Sequence, residues 1–324
     1  MPLSLTSLNG DSAFLLTFTP SSNNGATITV LLDPWLHSPA SIIHPRFASQ
    51  SLIAVPVISS LSSLASAKLK SAESVESATE PAAESGECKS PPDAILLSQA
   101  DSDHCSPATL SEYPWSLTPT EVFCSSESAG RIRSWPWWRE AGLDGRLRIL
   151  KQKKPLALTK VGFTTAGEST SGESKLEVEL LEAKYPWQIP SVHSAIAITF
   201  SSREEVIRVL FSPHGSPWGC VKSWVGNKKL DLLLWPWHHV NNPWWLGGEV
   251  AAGFECGRKV CEATEVSHWV ASHDDDKEVS GWVTRWMVTR FWGEEKVREH
   301  LRERVGLWRL KAGEVMTVGG KKGE

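Results

Sequence analysis

The sequence predicts a layered sandwich of the α/β or α+β class rather than an all-β barrel. Strand-length apolar runs fall into two groups along the chain, and each group is followed by material with helical spacing. The 324 residues suffice for one large domain or two small ones, and 41% hydrophobic against 22% charged residues suits an ordinary buried core. No run is long enough to span a bilayer. The start, MPLSLTSLNGDSAFLL, lacks a basic segment followed by an uninterrupted apolar stretch, so a cytoplasmic or nuclear location is expected.

The strand pattern opens with Leu3, Leu5 and Leu8, which roughly alternate with polar residues. Residues 13–19 (AFLLTFT) and 26–33 (ATITVLLD) flank a turn containing Asn23-Asn24-Gly25, which is a hairpin signal. Pro34 stops the second run and leaves Asp33 at its end. Residues 49–65 hold another apolar segment centred on 52–58 (LIAVPVI). Residues 66–92 then turn to Ser, Ala, Glu and Lys, and read as a flexible insertion; residues 164–175 (TTAGESTSGESK) read as an exposed loop joining two strands. Both lie between strand-like runs, so residues 1–324 are taken as one domain.

Residues 94–97 (AILL) form the next strand, and Ser106-Pro107 offers an N-cap followed by a first helical residue. Further strands are expected over 121–124, 146–151, 156–163, 176–181, 195–200 and 206–211, and residues 269–271 close a short apolar run. Helical material is expected over 249–264, 277–286 and 294–308. The last of these puts Val297, Leu301, Val305 and Trp308 on one stripe.

Six cysteines without a C-x-x-C pair point to reduced, buried thiols rather than a thiolate zinc site. A formal charge of −4, with no basic patch interleaved with aromatics, argues against a nucleic-acid partner. Seventeen Trp stand against two Tyr, and most of them are expected to pack over a sheet.

One regularity points to chemistry. Asp33, the Asp101-Ser102-Asp103-His104 segment, His214 and His273 each lie at or just past the C-terminal end of an apolar run. Carboxylate and imidazole are ligand types for zinc, iron or manganese, and the ligands enclosing one ion come from separate segments. A helix opening just after His104 turns free N–H groups towards the same region.

These residues resemble the metallo-β-lactamase superfamily. The hairpin ending Val30-Leu31-Leu32-Asp33-Pro34-Trp35, followed by a strand and a D-x-D-H loop, carries the likeness. The nearer likeness is to its lactonase-like branch and to uncharacterised fungal members. It extends through Ser212-Pro213-His214-Gly215, the segment Asn242–Gly248 and the segment Ser272–Lys277, and runs from about residue 5 to 320. The resemblance implies a four-layer αββα sandwich. Against the family's H-x-H-x-D-H signature, Gln99 and Asp101 stand at the two histidines, while Asp103 and His104 match. His193 fits the separate third-motif histidine, His214 stands where a bridging Asp is usual, and His273 fits the last ligand histidine.

One half of a dinuclear site is therefore damaged, which implies a single divalent ion: zinc first, with iron or manganese as alternatives. The metal candidates are Asp103, His104, His214, His273 and His193, with Asp33 supporting the ligand histidines from behind. In such a site a bound water reaches a pKa near ~7, and Asp103 or Asp101 would orient it or accept its proton. The implied function is hydrolysis of an ester, lactone or phosphodiester, with a small-molecule substrate as the partner. The alternative is a catalytically inactive member that keeps the fold as a binding or scaffold module, as loss of both histidines would allow.

Plainer readings stand beside these. Asp-x-Asp-His alone is most often a solvated loop or a helix cap, and His193 alone would be a hydrogen-bonded core histidine. Asp274-Asp275-Asp276-Lys277-Glu278 reads by default as a solvated helix start. Gln99, His238, His239, Trp244 and Trp245 are the candidates for the substrate pocket. Adjacent His238 and His239 in an extended segment face opposite ways, so they do not share an ion. Cys105 has no evident base partner and reads as a buried thiol.

Overall fold

The structure is a computed structural model that describes residues 3–20, 26–42, 44–66, 91–163, 169–183, 190–203, 205–301 and 304–318. The strands before residue 150 are β1 (Leu3–Ser7), β2 (Phe14–Phe18), β3 (Ile28–Leu32), β4 (Ala40–Ile42), β5 (Ala48–Leu52), β6 (Ala94–Leu97), β7 (Glu121–Cys124) and β8 (Leu147–Ile149). Later come β9 (Leu156–Phe163), β10 (Ser169–Leu181), β11 (Ala195–Ser201), β12 (Val206–Phe211), β13 (Leu230–Trp235), β14 (His239–Asn241) and β15 (Glu249–Ala251). The last strands are β16 (Val266–Ala271), β17 (Lys277–Ser280), β18 (Val288–Arg290), β19 (Gly306–Trp308) and β20 (Val315–Val318). The helices are α1 (Pro107–Ser111), α2 (Ser126–Ser134), α3 (Pro136–Glu140), α4 (Pro190–His193), α5 (Trp218–Val225), α6 (Gly253–Ala263) and α7 (Glu294–Glu299).

Two seven-stranded sheets result, in the orders β20-β1-β2-β3-β6-β7-β8 and β19-β16-β13-β12-β11-β10-β9. In each, an antiparallel portion passes into a parallel one: β3, β6, β7 and β8 in the first, β12, β13, β16 and β19 in the second. Small three-stranded sheets, β15-β14-β18 and β17-β5-β4, complete the structure.

The period-two alternation of strand side chains sorts the apolar residues into layers. Leu16, Val30, Leu32 and Leu96 meet Ile198, Val209, Leu232 and Leu234 in one cluster between the sheets, where Phe18 stacks on Phe200 at 5.1 Å. Their sequence neighbours Leu15, Leu31, Ile95 and Leu97 face the other way, against Leu110, Ile132 and Trp138 of α1–α3. Leu233, Trp235 and Trp269 likewise face outwards against α5, α6 and Val297 of α7. Three apolar interfaces between four layers define an αββα sandwich.

Local signals place several elements as expected. Ser106 accepts the Thr109 N–H at 3.2 Å and caps α1, with Pro107 at its first position. β2 and β3 pair antiparallel, while the Asn23-Asn24-Gly25 turn lies outside the described residues. Other expectations are corrected. Residues 277–286 form β17 and a 3-10 turn (Val283–Trp286) instead of a helix, because β17 finds a partner in β5. Helix α7 ends at Glu299, and residues 306–308 pair with β16 as β19. The expected loop at 164–175 is shorter, since residues 169–175 belong to β10. Of the insertion 66–92, residues 67–90 lie outside the described residues. Ile53, Val55 and Val57 are exposed, so the strand there ends at Leu52. Strand β13, central in its sheet, and helices α2 and α5 were not anticipated. Among the described residues no helix is long and apolar enough to cross a membrane.

Candidate metal centre

Parallel strands bring their carboxyl ends to one side of a sheet, and the loops that follow them share that edge. Asp33 follows β3, the 98–104 segment follows β6, His214 follows β12 and His273 follows β16. The two sheets face each other, and these loops converge. Candidate ligand atoms of Asp103, His104, His214 and His273 all lie within 4.8 Å of one another.

The three imidazoles share one arrangement. His104 Nδ1 lies 2.8 Å from Asp33 Oδ2, His214 Nδ1 2.9 Å from the Val250 carbonyl oxygen and His273 Nδ1 2.8 Å from Asp11 Oδ2. Acceptors of these kinds hold the N–H at Nδ1, which leaves each Nε2 for the centre. There, His104 Nε2 is 3.2 Å from His214 Nε2 and 3.3 Å from Asp103 Oδ2, and His273 Nε2 is 3.6 Å from Asp103 Oδ2. Donor atoms bonded to a tetrahedral zinc ion at its usual lengths stand about 3.3–3.5 Å apart. The second carboxylate oxygen, Asp103 Oδ1, is buried without a hydrogen-bond partner. An N3O donor set at these separations fits a metal ion.

The outer supports are themselves fixed. Asp33, at φ 37°, accepts the Ser98 N–H at 2.7 Å and the Ser98 hydroxyl at 2.5 Å. Lys277 Nζ lies 2.8 Å from Asp11 Oδ1, and Gln50 Nε2 donates to Asp103 Oδ2 at 2.6 Å. Burial would raise the Asp103 carboxyl, but His104, His273 and His214 outweigh it and hold it well below the usual carboxylate range. Burial likewise opposes charge on His104, yet Asp103 and Asp33 prevail and raise it to about 10. His214 is pushed well below its ordinary value by burial and by the neighbouring His273 and His104. Burial also lowers His273, against the pull of Asp11. Asp11 is held well below its usual range because His273 and Lys277 outweigh its burial. Of the three imidazoles, His104 is the one whose carboxylate neighbours favour the charged form.

No protein-family model and no curated protein matches the chain. Solved structures do match. Unliganded yeast PDE1 aligns with a TM-score of 0.50 and 12% identity, over 96% of this chain and 98% of that one. The fold is that of the metallo-β-lactamases. Two further matches are Igni18, a metallo hydrolase of the archaeon Ignicoccus hospitalis (TM-score 0.47, 13% identity, 98% of this chain and 99% of that one), and CmlA, a diiron β-hydroxylase of Streptomyces venezuelae (TM-score 0.48, 14% identity, 96% and 53%).

Within this metallo-β-lactamase fold the other sequence candidates take different places. His193 stands outside the cluster: its Nδ1 and Nε2 face the carbonyl oxygens of Gly215 and Glu249 at 3.1 and 3.0 Å, so neither is turned to an ion. Asp101 is not among the four gathered groups, and burial and Asp103 raise its carboxyl. Gln99 is buried, its amide nitrogen and oxygen without partners, and it does not line the cavity beside the cluster. That cavity, of about 250 Å3, is walled by Asp103, His214, His238, His273, Lys277 and Phe291 among others. His238 packs edge-on against Phe291, and burial lowers it to about 4. His239 turns to Glu249 at 3.2 Å, Trp244 and Trp245 are exposed, and none of these three is among the residues that wall the cavity. Burial pushes the Cys105 thiol well above its ordinary range.

Asp11, Gln50 and Lys277 were missed as site residues. Their partners lie far along the chain, His273 being 262 positions from Asp11, and no spacing rule reaches that far. Asp274 was read as the start of a solvated charge run, but it is buried and accepts the N–H groups of Trp237 and His238. Burial raises it to about 7.

Proposed function

We propose that the protein is a metal-dependent hydrolase of an ester, lactone or phosphodiester, working with one divalent ion held by Asp103, His104, His214 and His273. The observation that carries this reading is the spacing of the three Nε2 atoms and Asp103 Oδ2, with every imidazole locked from behind by an acceptor. The three-nitrogen, one-oxygen set favours zinc, with iron or manganese as alternatives. A bound ion supplies Lewis acidity, polarising the bond under attack and lowering the pKa of water towards ~7.

The chain's own residues do the rest. Asp103 stays ionised and anchors the site, which leaves it a poor proton acceptor near neutrality. Lys277, in the cavity wall beside His273, presents positive charge to an anionic or carbonyl oxygen of the substrate. Val240, Val250, Met287 and Phe291 shed water from the rest of that wall. Asp274, in the same wall, accepts the N–H groups of Trp237 and His238 through its two oxygens and fixes the backbone at that corner of the cavity. The resemblance of the sequence motifs to the lactonase-like branch supports lactones as the first substrates to try.

One observation favours a second reading, an inactive member kept as a binding or scaffold module: Gln99 sits buried with an unpartnered amide at a histidine position of the signature. Metal analysis of protein purified without chelators decides between them. About one equivalent in the wild type, near zero in His273→Ala, and hydrolysis of a lactone or p-nitrophenyl ester that the variant lacks is the expected result. Equal, near-zero metal in both proteins leaves the scaffold reading in front.

A further inference from the structure

The segments that wall the cavity continue outwards into an exposed aromatic crest. Trp244 and Trp245 stand between β14 and β15, and Trp282 and Trp286 lie in the connection from β17 to β18. Trp244 is 87% exposed, and Trp245, Trp282 and Trp286 are 50%, 48% and 49% exposed. The Trp245 ring lies 6.3 Å from that of Trp282 and 5.9 Å from that of Trp286, and Phe47 follows at 6.5 Å from Trp282. Folded proteins leave a contiguous apolar patch of this kind open chiefly where something binds.

Charge follows the same pattern. Residues 44–52, 242–248 and 279–292 carry Arg46, Arg285 and Arg290 and no Asp or Glu, in a chain of net charge −4. All three arginines are exposed, and among the described residues none has a partner for its guanidinium. Arg46 is tied into the crest by its carbonyl oxygen, which accepts the Trp282 N–H at 3.0 Å.

We propose that this crest docks on an anionic phospholipid bilayer. Indole, a flat apolar ring with one N–H, partitions to the headgroup boundary, and unpaired guanidinium groups are drawn to anionic headgroups. A tryptophan as bare as Trp244 has no neighbours to shape a groove for a protein partner, whereas the bilayer boundary accepts it without shape complementarity. Val279, Met287 and Phe291 belong to the cavity wall and to the crest segment alike, so docking turns the cavity mouth towards lipid. This surface does not depend on the metal centre being loaded or active.

The test is sedimentation of the full chain with vesicles of phosphatidylcholine and phosphatidylserine, against phosphatidylcholine alone. The wild type is expected to pellet with the anionic vesicles, with a blue shift of tryptophan emission and loss of binding at high salt. Arg46→Glu with Arg285→Glu, and separately Trp245→Ser with Trp286→Ser, should each weaken partition about tenfold or more with an unchanged circular dichroism spectrum. His273→Ala should bind as the wild type does, which separates this surface from the hydrolase reading. No partition into anionic vesicles, or equal partition by the crest variants, overturns the proposal. So does a wild-type dimer that both variants dissociate, since the crest is then covered by a second copy.

Discussion

His104 carries the sharpest consequence at the scale of single residues. Its Nδ1 faces Asp33 and its Nε2 faces Asp103, and the pair raise it to about 10. A histidine raised in the folded state contributes stability that is fully present below its unfolded value, about 6.5, and lost as pH climbs through the folded one. Metal-free protein should therefore lose melting temperature between pH 6.5 and about 10, and Asp33→Asn should flatten that slope. A slope that is the same in both proteins would show that Asp33 does not hold the proton. The four gathered residues were readable one by one, because a ligand-type side chain just past an apolar run is a local pattern. The supports were not: Asp11 sits in a short turn after β1, and nothing near it in sequence announces His273.

At the scale of elements, contacts distant in sequence decided what local spacing left open. After Asp231, Leu232–Trp235 is a continuous apolar run, as a parallel strand covered on both faces requires, and it lacks the alternation that marks a half-buried strand. Residues 277–280 and 306–308 carry helical spacing, but β5 and β16 offer them ladder partners, and pairing wins. Helix α6 lies on its sheet only because Gly257 lets the Trp269 ring approach; a Cβ there would meet that ring at 2.3 Å. Gly257→Ala should thus destabilise the protein by about 1–3 kcal/mol despite alanine's better helix propensity. Urea unfolding checks it: a lower midpoint with an unchanged slope is expected, and a higher midpoint would mean that Trp269 moves aside freely.

For the whole molecule, the candidate metal centre joins the two sheets, since Asp103 and His104 hang from the first and His214 and His273 from the second. An ion present at a hundred times its dissociation constant adds about 2.7 kcal/mol to folding. Chelation should lower the melting temperature by roughly 4 °C, and His273→Ala should show no chelator effect. The same architecture sets an order on the making of the protein. Strand β20 lies beside β1, with Val318 opposite Leu3, so the first strand waits for a neighbour from the far end of the chain. At synthesis rates of about 5–20 residues per second, that wait lasts roughly 15–60 s. Throughout it β1 presents an open ladder edge to any other nascent chain, so this protein should depend on chaperone cover while it is being translated.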